Sequence, residues 1–150
     1  MGVKDRVRQT DFRSSLDAAF VGLLVAAGEA GQRLEEACAE RGITHTQYNV
    51  LRILRGAHPD GHPRFEIAER LITRAPDVTR LLDRLERQGL IERTWSRANR
   101  RHSIARITKK GLELLRVLDP KTQKVREATL GRLSEEQLQQ LARAFDLVVS

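Results

Sequence analysis

In the stretch RTWSRANRR, residues 93–101, four arginines fall within nine residues with no acid between them: Arg93, Arg97, Arg100 and Arg101. A second basic set lies on one face of residues 76–88, where Arg80, Arg84 and Arg87 share an arc with Asp77 and Asp83. Guanidinium groups stay charged and donate in a planar fork that matches phosphate and the O6/N7 edge of guanine. The chemistry these residues suit is recognition of a polyanion, not bond making or breaking. The sequence holds no Gly-rich phosphate loop, no nucleophile elbow and no metal-ligand pair at helical spacing, so an enzyme is not expected. His58 and His62 stand four apart around Asp60, but within the Pro/Gly loop GAHPDGHP. They read as a polar loop in preference to a metal site, and no cofactor is expected. The single cysteine, Cys38, excludes an intrachain disulfide and reads as a buried structural thiol.

The charge is unevenly placed. The chain of 150 residues has a formal net charge of +7. Residues 64–110 hold thirteen Lys and Arg against six acids, so this segment carries the whole surplus and the rest is neutral. Such a surplus fits nucleic acid or an acidic membrane surface. No apolar run approaches the roughly 20 residues of a membrane span. The N-terminal MGVKDRVRQTDFRSS has no apolar signal core, so a cytoplasmic protein without a membrane partner is expected.

The elements that must position the arginines are helical for the most part. Aromatic residues make up only 4%. The core must therefore come from Leu, Ile, Val and Ala, a composition that favours helices. Phe12, Leu16, Phe20, Leu23, Ala27, Ala30, Leu34 and Ala37 alternate three and four apart, predicting an amphipathic helix over 12–39 that Gly42 ends. Thr44 and Gln47 form a capping-box spacing for the next helix. A short helix follows with Ile67, Ala68 and Leu71 inward. ITRAP is a turn that reopens into a helix around Pro76, placed in the first helical turn. That helix runs to Gln88, and Gly89 closes it. LIERTW and SIARIT flank the arginine-rich tip as a β-hairpin. Thr108 caps another helix, in which Pro120 should cause a kink or a break. Ser134 and Gln137 form a second capping box, before a last amphipathic helix carrying Leu138, Leu141, Phe145 and Val148.

Helix, short helix, turn, helix, hairpin is the order of a winged helix-turn-helix. On the helix over 76–88, Val78, Leu81, Leu82 and Leu85 share one arc, and Asp77, Arg80, Asp83, Arg84 and Arg87 share the opposite one. A major groove, about 12 Å wide, admits such a helix with its outer face toward the bases. The expected contacts from this helix and the turn before it are Arg74, Asp77, Thr79, Arg80, Arg84 and Arg87. The hairpin tip, with Arg97, Asn99, Arg100 and Arg101, suits a minor groove whose narrow A·T stretches concentrate negative potential. Trp95 is read as hairpin packing, with stacking on a sugar as the alternative. A different reading of the whole is an interaction module that docks on protein or RNA without sequence-specific DNA recognition. The outward arginines disfavour a protein-docking face, which would be more apolar.

GITHTQYNVLRIL, EIAERLI, VTRLLDRLERQGLIER and RITKKGLELL together resemble the MarR (multiple antibiotic resistance regulator) family of bacterial winged helix-turn-helix transcription factors, over roughly residues 12–149. The fold expected is mainly α with a small β-hairpin wing (α+β), a winged helix-turn-helix flanked by long dimerisation helices. One domain would span 1–150, with the DNA-binding region at 43–108 and dimerisation helices at 10–42 and 109–150. The resemblance implies a homodimer on a palindromic operator of double-stranded DNA, acting as a repressor that responds to a small amphipathic effector. It places an effector pocket between the dimerisation helices and the DNA-binding region, with Phe12, Leu16, Phe20 and Tyr48 as candidate lining. In one respect the chain departs from the family pattern. The wing's arginine is matched by Arg101, but the acid two residues before it is replaced by Asn99.

Overall fold

The computed structural model of the chain describes residues 1–95 and 102–150. The elements run α1 (Val3–Val7), α2 (Ser15–Ala39), α3 (His45–Gly56), β1 (His62–Pro63), α4 (Arg64–Arg70), α5 (Val78–Arg87), β2 (Ile91–Trp95), β3 (Ser103–Ile107), α6 (Lys109–Leu130) and α7 (Glu135–Val149). They form two compact units, one of residues 35–121 and one of residues 1–34 with 122–150.

The unit of residues 35–121 is a winged helix-turn-helix. It is wider than the expected 43–108, because the end of α2 supplies Cys38 to its core and the first half of α6 supplies Leu115 and Leu118. The same core takes Leu51 and Leu54 from α3, Ile67 from α4, Leu82 and Leu85 from α5, and Ile91, Ala105 and Ile107 from the strands. Local sequence sets most of the boundaries. Thr44 Oγ1 accepts from the Gln47 backbone N–H at 3.1 Å, and Gln47 Oε1 accepts from the Thr44 N–H at 2.9 Å. Two otherwise orphaned donors of α3 are satisfied in this way. Gly42 ends the preceding helix with φ of 75°, a left-handed conformation that a side chain would strain.

The start of α5 corrects the expectation for Pro76. The helix begins at Val78, and Asp77 is its N-cap, accepting the Arg80 N–H at 2.9 Å. Pro76 precedes the cap and is not in the first turn. The carboxylate wins the position because it satisfies a free N–H at the positive end of the helix, which proline cannot do.

The wing hairpin is as expected, with β2 and β3 antiparallel from Ile91↔Ile107 to Trp95↔Ser103. The GAHPDGHP segment is not all loop, however. His62 and Pro63 pair with Ala105 and Ile104 as a third strand, so the sheet order is β1-β3-β2.

A compact junction joins the end of α5 to the start of α6. Thr108 Oγ1 donates to the Gly89 carbonyl at 2.7 Å and accepts the Gly111 N–H at 3.1 Å, while Lys110 Nζ donates to the Gln88 carbonyl at 2.7 Å. A Cβ on Gly111 would lie 2.4 Å from the Leu90 carbonyl oxygen, so glycine is required for the close approach. The RQGL and ITKKG stretches are two halves of one structural lock.

Pro120 corrects one of its two expected outcomes, the break. It neither breaks α6 nor ends it, since the helix is continuous from Lys109 to Leu130 with Pro120 inside. Pro120 is exposed, as is Arg116, whose carbonyl loses its helical donor. On that outer side water can take the donor's place, which lowers the cost of an internal proline.

The unit of residues 1–34 and 122–150 is built from α1, most of α2, the end of α6 and α7. Helix α2 starts three residues later than its periodicity predicts, because Ser14 Oγ accepts the Asp17 N–H at 3.1 Å and caps it, leaving Phe12 ahead of the helix. Ser134 and Gln137 form the expected capping box of α7. Leu16, Phe20 and Leu24 on α2, and Leu147, Val148 and Val149 on α7, are exposed in the single chain. No helix among the described residues is long and apolar enough to cross a membrane.

Candidate nucleic-acid interface

Helix α5 buries Val78, Leu82 and Leu85 and half-buries Leu81. On its opposite side Thr79, Arg80, Arg84 and Arg87 are exposed. At 3.6 residues per turn the three arginines occupy an arc of about 60°. The acids expected to share this arc turn away from it. Asp77 is the helix cap. Asp83 and Glu86 both bind Arg93 of β2, so Arg93 has acid partners from outside the acid-free stretch 93–101 and is not part of a polyanion-binding set. Its Nη2 lies 2.5 Å from Asp83 Oδ1 and 2.6 Å from Glu86 Oε2, and its Nε donates to Glu86 Oε2 at 2.9 Å. The Arg93 side chain is only 10% exposed, so these contacts are better shielded from solvent than a surface ion pair. Burial alone would lower the pKa of Arg93, but hydrogen bonds to Glu86 and Asp83 and their charges outweigh it and raise the value. Arg93 is thereby a clamp that fixes the wing's first strand to α5.

The clamp left a trace in the sequence that charge counting overlooked. Asp83 and Glu86 are three apart and so share a helix face, and the chain folds back at Gly89 (φ 72°) to lay β2 beside that face. Because side chains two apart on a strand point the same way, Trp95 follows Arg93. The Arg93 guanidinium carbon lies 5.7 Å from the centroid of the Trp95 ring. Trp95 remains 52% exposed, so hairpin packing accounts for only part of its surface.

The consequence for α5 is a separation of charges. All its acids and that of its cap are engaged, whereas Arg80, Arg84 and Arg87 form no ion pair among the described residues. Arg74, in the turn before α5, is likewise exposed. Arg97, Asn99, Arg100 and Arg101 lie outside the described residues.

The four residues named for an effector pocket divide between the units. Tyr48 is 3% exposed within the winged-helix core, and its hydroxyl donates to Asp119 Oδ1 at 2.9 Å. Asp119 Oδ2 also accepts from Arg55 Nη1 at 2.5 Å. In the other unit Phe12 is half-buried, while Leu16 and Phe20 are 78% and 60% exposed. Cys38 is fully buried, and burial, with the Glu35 carboxylate, pushes its thiol up to about 11. A thiol held protonated at neutral pH suits the structural reading.

Comparison with known proteins places this geometry. The model of the MarR family matches residues 43–103. The crystal structure of a MarR transcription factor from Planctomyces limnophilus is 36% identical, covers 91% of this chain and 99% of its own, and superposes with a TM-score of 0.72. The chain belongs to the MarR family. Among curated relatives, the HTH-type transcriptional regulator MhqR of Bacillus subtilis is 29% identical over 100 residues, 67% of this chain and 68% of that protein. Sco3205, a MarR family regulator from Streptomyces coelicolor whose structure was solved in complex with DNA, shares the fold with a TM-score of 0.79 at 24% identity, over 94% of this chain and 90% of its own.

Proposed function

We propose that the protein is a sequence-specific regulator of transcription that binds double-stranded DNA as a homodimer on a palindromic operator, with α5 as its recognition helix. The observation that carries this reading is the exposed arginine arc of α5, freed of acids by the Asp77 cap and the Arg93 clamp. Arg80, near the N-terminus of the helix, is the candidate for a guanine contact, with Thr79 beside it. Arg84 and Arg87 extend the arc toward phosphates, and Arg74 flanks it. The wing residues Arg97, Asn99, Arg100 and Arg101 would enter the adjacent minor groove. Two relatives with this fold, Sco3205 and MepR of Staphylococcus aureus, were solved with DNA, which supports the same partner here.

The apolar residues exposed on α2 and α7 support a two-fold dimer, since water contact with Leu16, Phe20, Leu147 and Val148 is unfavourable. A response to a small amphipathic effector, with release of DNA, completes the proposal. The test is selection of duplexes from a random pool. A palindrome with half-sites about one helical turn apart supports the reading, because a dimer presents two recognition helices at that spacing. Recovery of unrelated sequences, with equal affinity for scrambled duplexes, contradicts it. A monomeric mass by light scattering at micromolar concentration contradicts the dimer separately.

A further inference from the structure

Two of the chain's six aromatic side chains stand half-exposed on one cleft of the winged-helix unit. Phe65, in the first turn of α4, is 53% exposed, and Trp95, at the end of β2, is 52% exposed. The cleft has a volume of about 640 Å³ and is also lined by Arg64, Thr79, His102 and Ser103. Its far walls are α5 and the two wing strands. Arg93 also lines the cleft, but Asp83 and Glu86 already use its charge. Arg64 is exposed at the rim and forms no ion pair among the described residues.

The position of the cleft identifies its occupant. In a duplex, the major groove is divided from the neighbouring minor groove by a single sugar–phosphate strand. If α5 reads one groove and the wing enters the next, that strand must cross the space between them. The cleft occupies this space, and Thr79 on its wall immediately precedes Arg80 of the outward arc. We propose that the cleft receives the sugar–phosphate backbone of one DNA strand, with Phe65 and Trp95 packed against deoxyribose and Arg64 against phosphate. The inference rests on the DNA-binding reading above and adds a contact that depends on neither base identity nor the wing tip.

The chemistry of the lining favours this occupant over the alternatives. A drug-sized ligand buries most of its surface in its pocket, and walls whose two aromatics are half in solvent cannot enclose one. A protein segment would gain little from the rim arginine without an acid of its own. A nucleic-acid backbone alternates an apolar sugar face with a phosphate anion, as the cleft alternates aromatic and cationic side chains. Arg93 holds one face of the Trp95 ring at 5.7 Å, so the ring is placed before DNA arrives and little freedom is lost on binding.

Trp95 is the chain's only tryptophan, which supplies a direct readout. A short end-labelled duplex carrying the selected palindrome is titrated into the full chain, following label anisotropy and tryptophan emission together, and then repeated with a scrambled duplex. We expect the emission to change in step with the anisotropy. Phe65→Leu and Trp95→Leu should each weaken both duplexes several-fold and leave the dependence on salt unchanged, because they remove apolar contact. Trp95→Phe should keep most of the affinity. Arg64→Gln should weaken both duplexes and lower the log–log salt slope by about 0.9, the amount for one phosphate. The three side chains are exposed enough that melting temperatures should match the wild type, which separates a contact from a folding defect. Normal duplex binding with unchanged emission and wild-type affinity in both leucine variants would overturn the inference and leave the DNA-binding function standing. Emission that responds to single-stranded oligonucleotides and not to duplexes would overturn both.

Discussion

The Arg93 clamp makes a quantitative prediction. Arg93→Met keeps the unbranched stem as far as the position of Nε and removes the guanidinium and its charge. Three hydrogen bonds to two carboxylates are lost, and Asp83 and Glu86 are left facing each other across the site. A hydrogen bond to a charged group contributes about 1.5–3 kcal/mol when shielded, and breaking a buried pair costs about 3–5 kcal/mol. The guanidinium is shielded at 10% exposure, but the carboxylates are 37% and 38% exposed and regain water once freed. The net loss should therefore lie below the buried-pair range, at about 2 kcal/mol. For a chain of this length that corresponds to a fall of roughly 4–8 °C in melting temperature. Urea unfolding followed by circular dichroism measures it. A double-mutant cycle with Glu86→Gln should return a coupling of at least about 1 kcal/mol. If Arg93→Met unfolds within about 0.5 kcal/mol of the wild type, the contacts are an ordinary surface pair and the clamp reasoning fails.

Three further outcomes follow from other parts of the fold. Gly111→Ala should cost about 1–3 kcal/mol in the same unfolding assay, since its Cβ would meet the Leu90 carbonyl at 2.4 Å; wild-type stability would mean the junction yields without cost. Burial alone pushes the Asp119 carboxyl up, but hydrogen bonds from Arg55 and Tyr48, with the charges of Arg55 and Arg52, outweigh it and hold it below its ordinary value. A depressed folded-state pKa gives stability that is present above the unfolded value, about 3.9, and is lost as pH falls through the folded one. Unfolding measured across the acid range should thus show a shallower decline in Asp119→Asn than in the wild type, and parallel curves would remove Asp119 from the account. Cys38, fully buried with its thiol at about 11, should resist a thiol-reactive disulfide reagent at pH 8 until the chain is unfolded; rapid stoichiometric labelling of the native protein would contradict its burial.

Features encoded within one turn of chain were legible in the sequence. The capping boxes at Thr44/Gln47 and Ser134/Gln137 need only a partner three residues away, and both form as read. The inward face of α5 was equally plain, because its apolar spacing matches the helical period. Features created by folding back were not. The partners of Arg93 lie seven and ten residues earlier, across the Gly89 turn, so a window on the arginine cluster contains no acid. Strand β1 is two residues long within a Pro/Gly segment, and two residues cannot display a period; its partner lies some forty residues on. The break expected at Pro120 does not form, because propensity describes an average helix interior and this proline sits on an exposed side. The aromatic cleft joins Phe65, Thr79 and Trp95 from three elements, and only the fold brings them together.

The central claim is that the outer face of α5 reads bases, and Arg80 tests it most directly. Wild type and Arg80→Ala should be compared on the selected operator and on each of its single-base-pair variants, at one fixed salt concentration. The account predicts a loss of about 1–3 kcal/mol on the operator, and loss of discrimination at one position in each half-site with the other positions unchanged. Uniform weakening at every sequence would make Arg80 a phosphate contact and contradict the reading of α5 as the element that selects the operator.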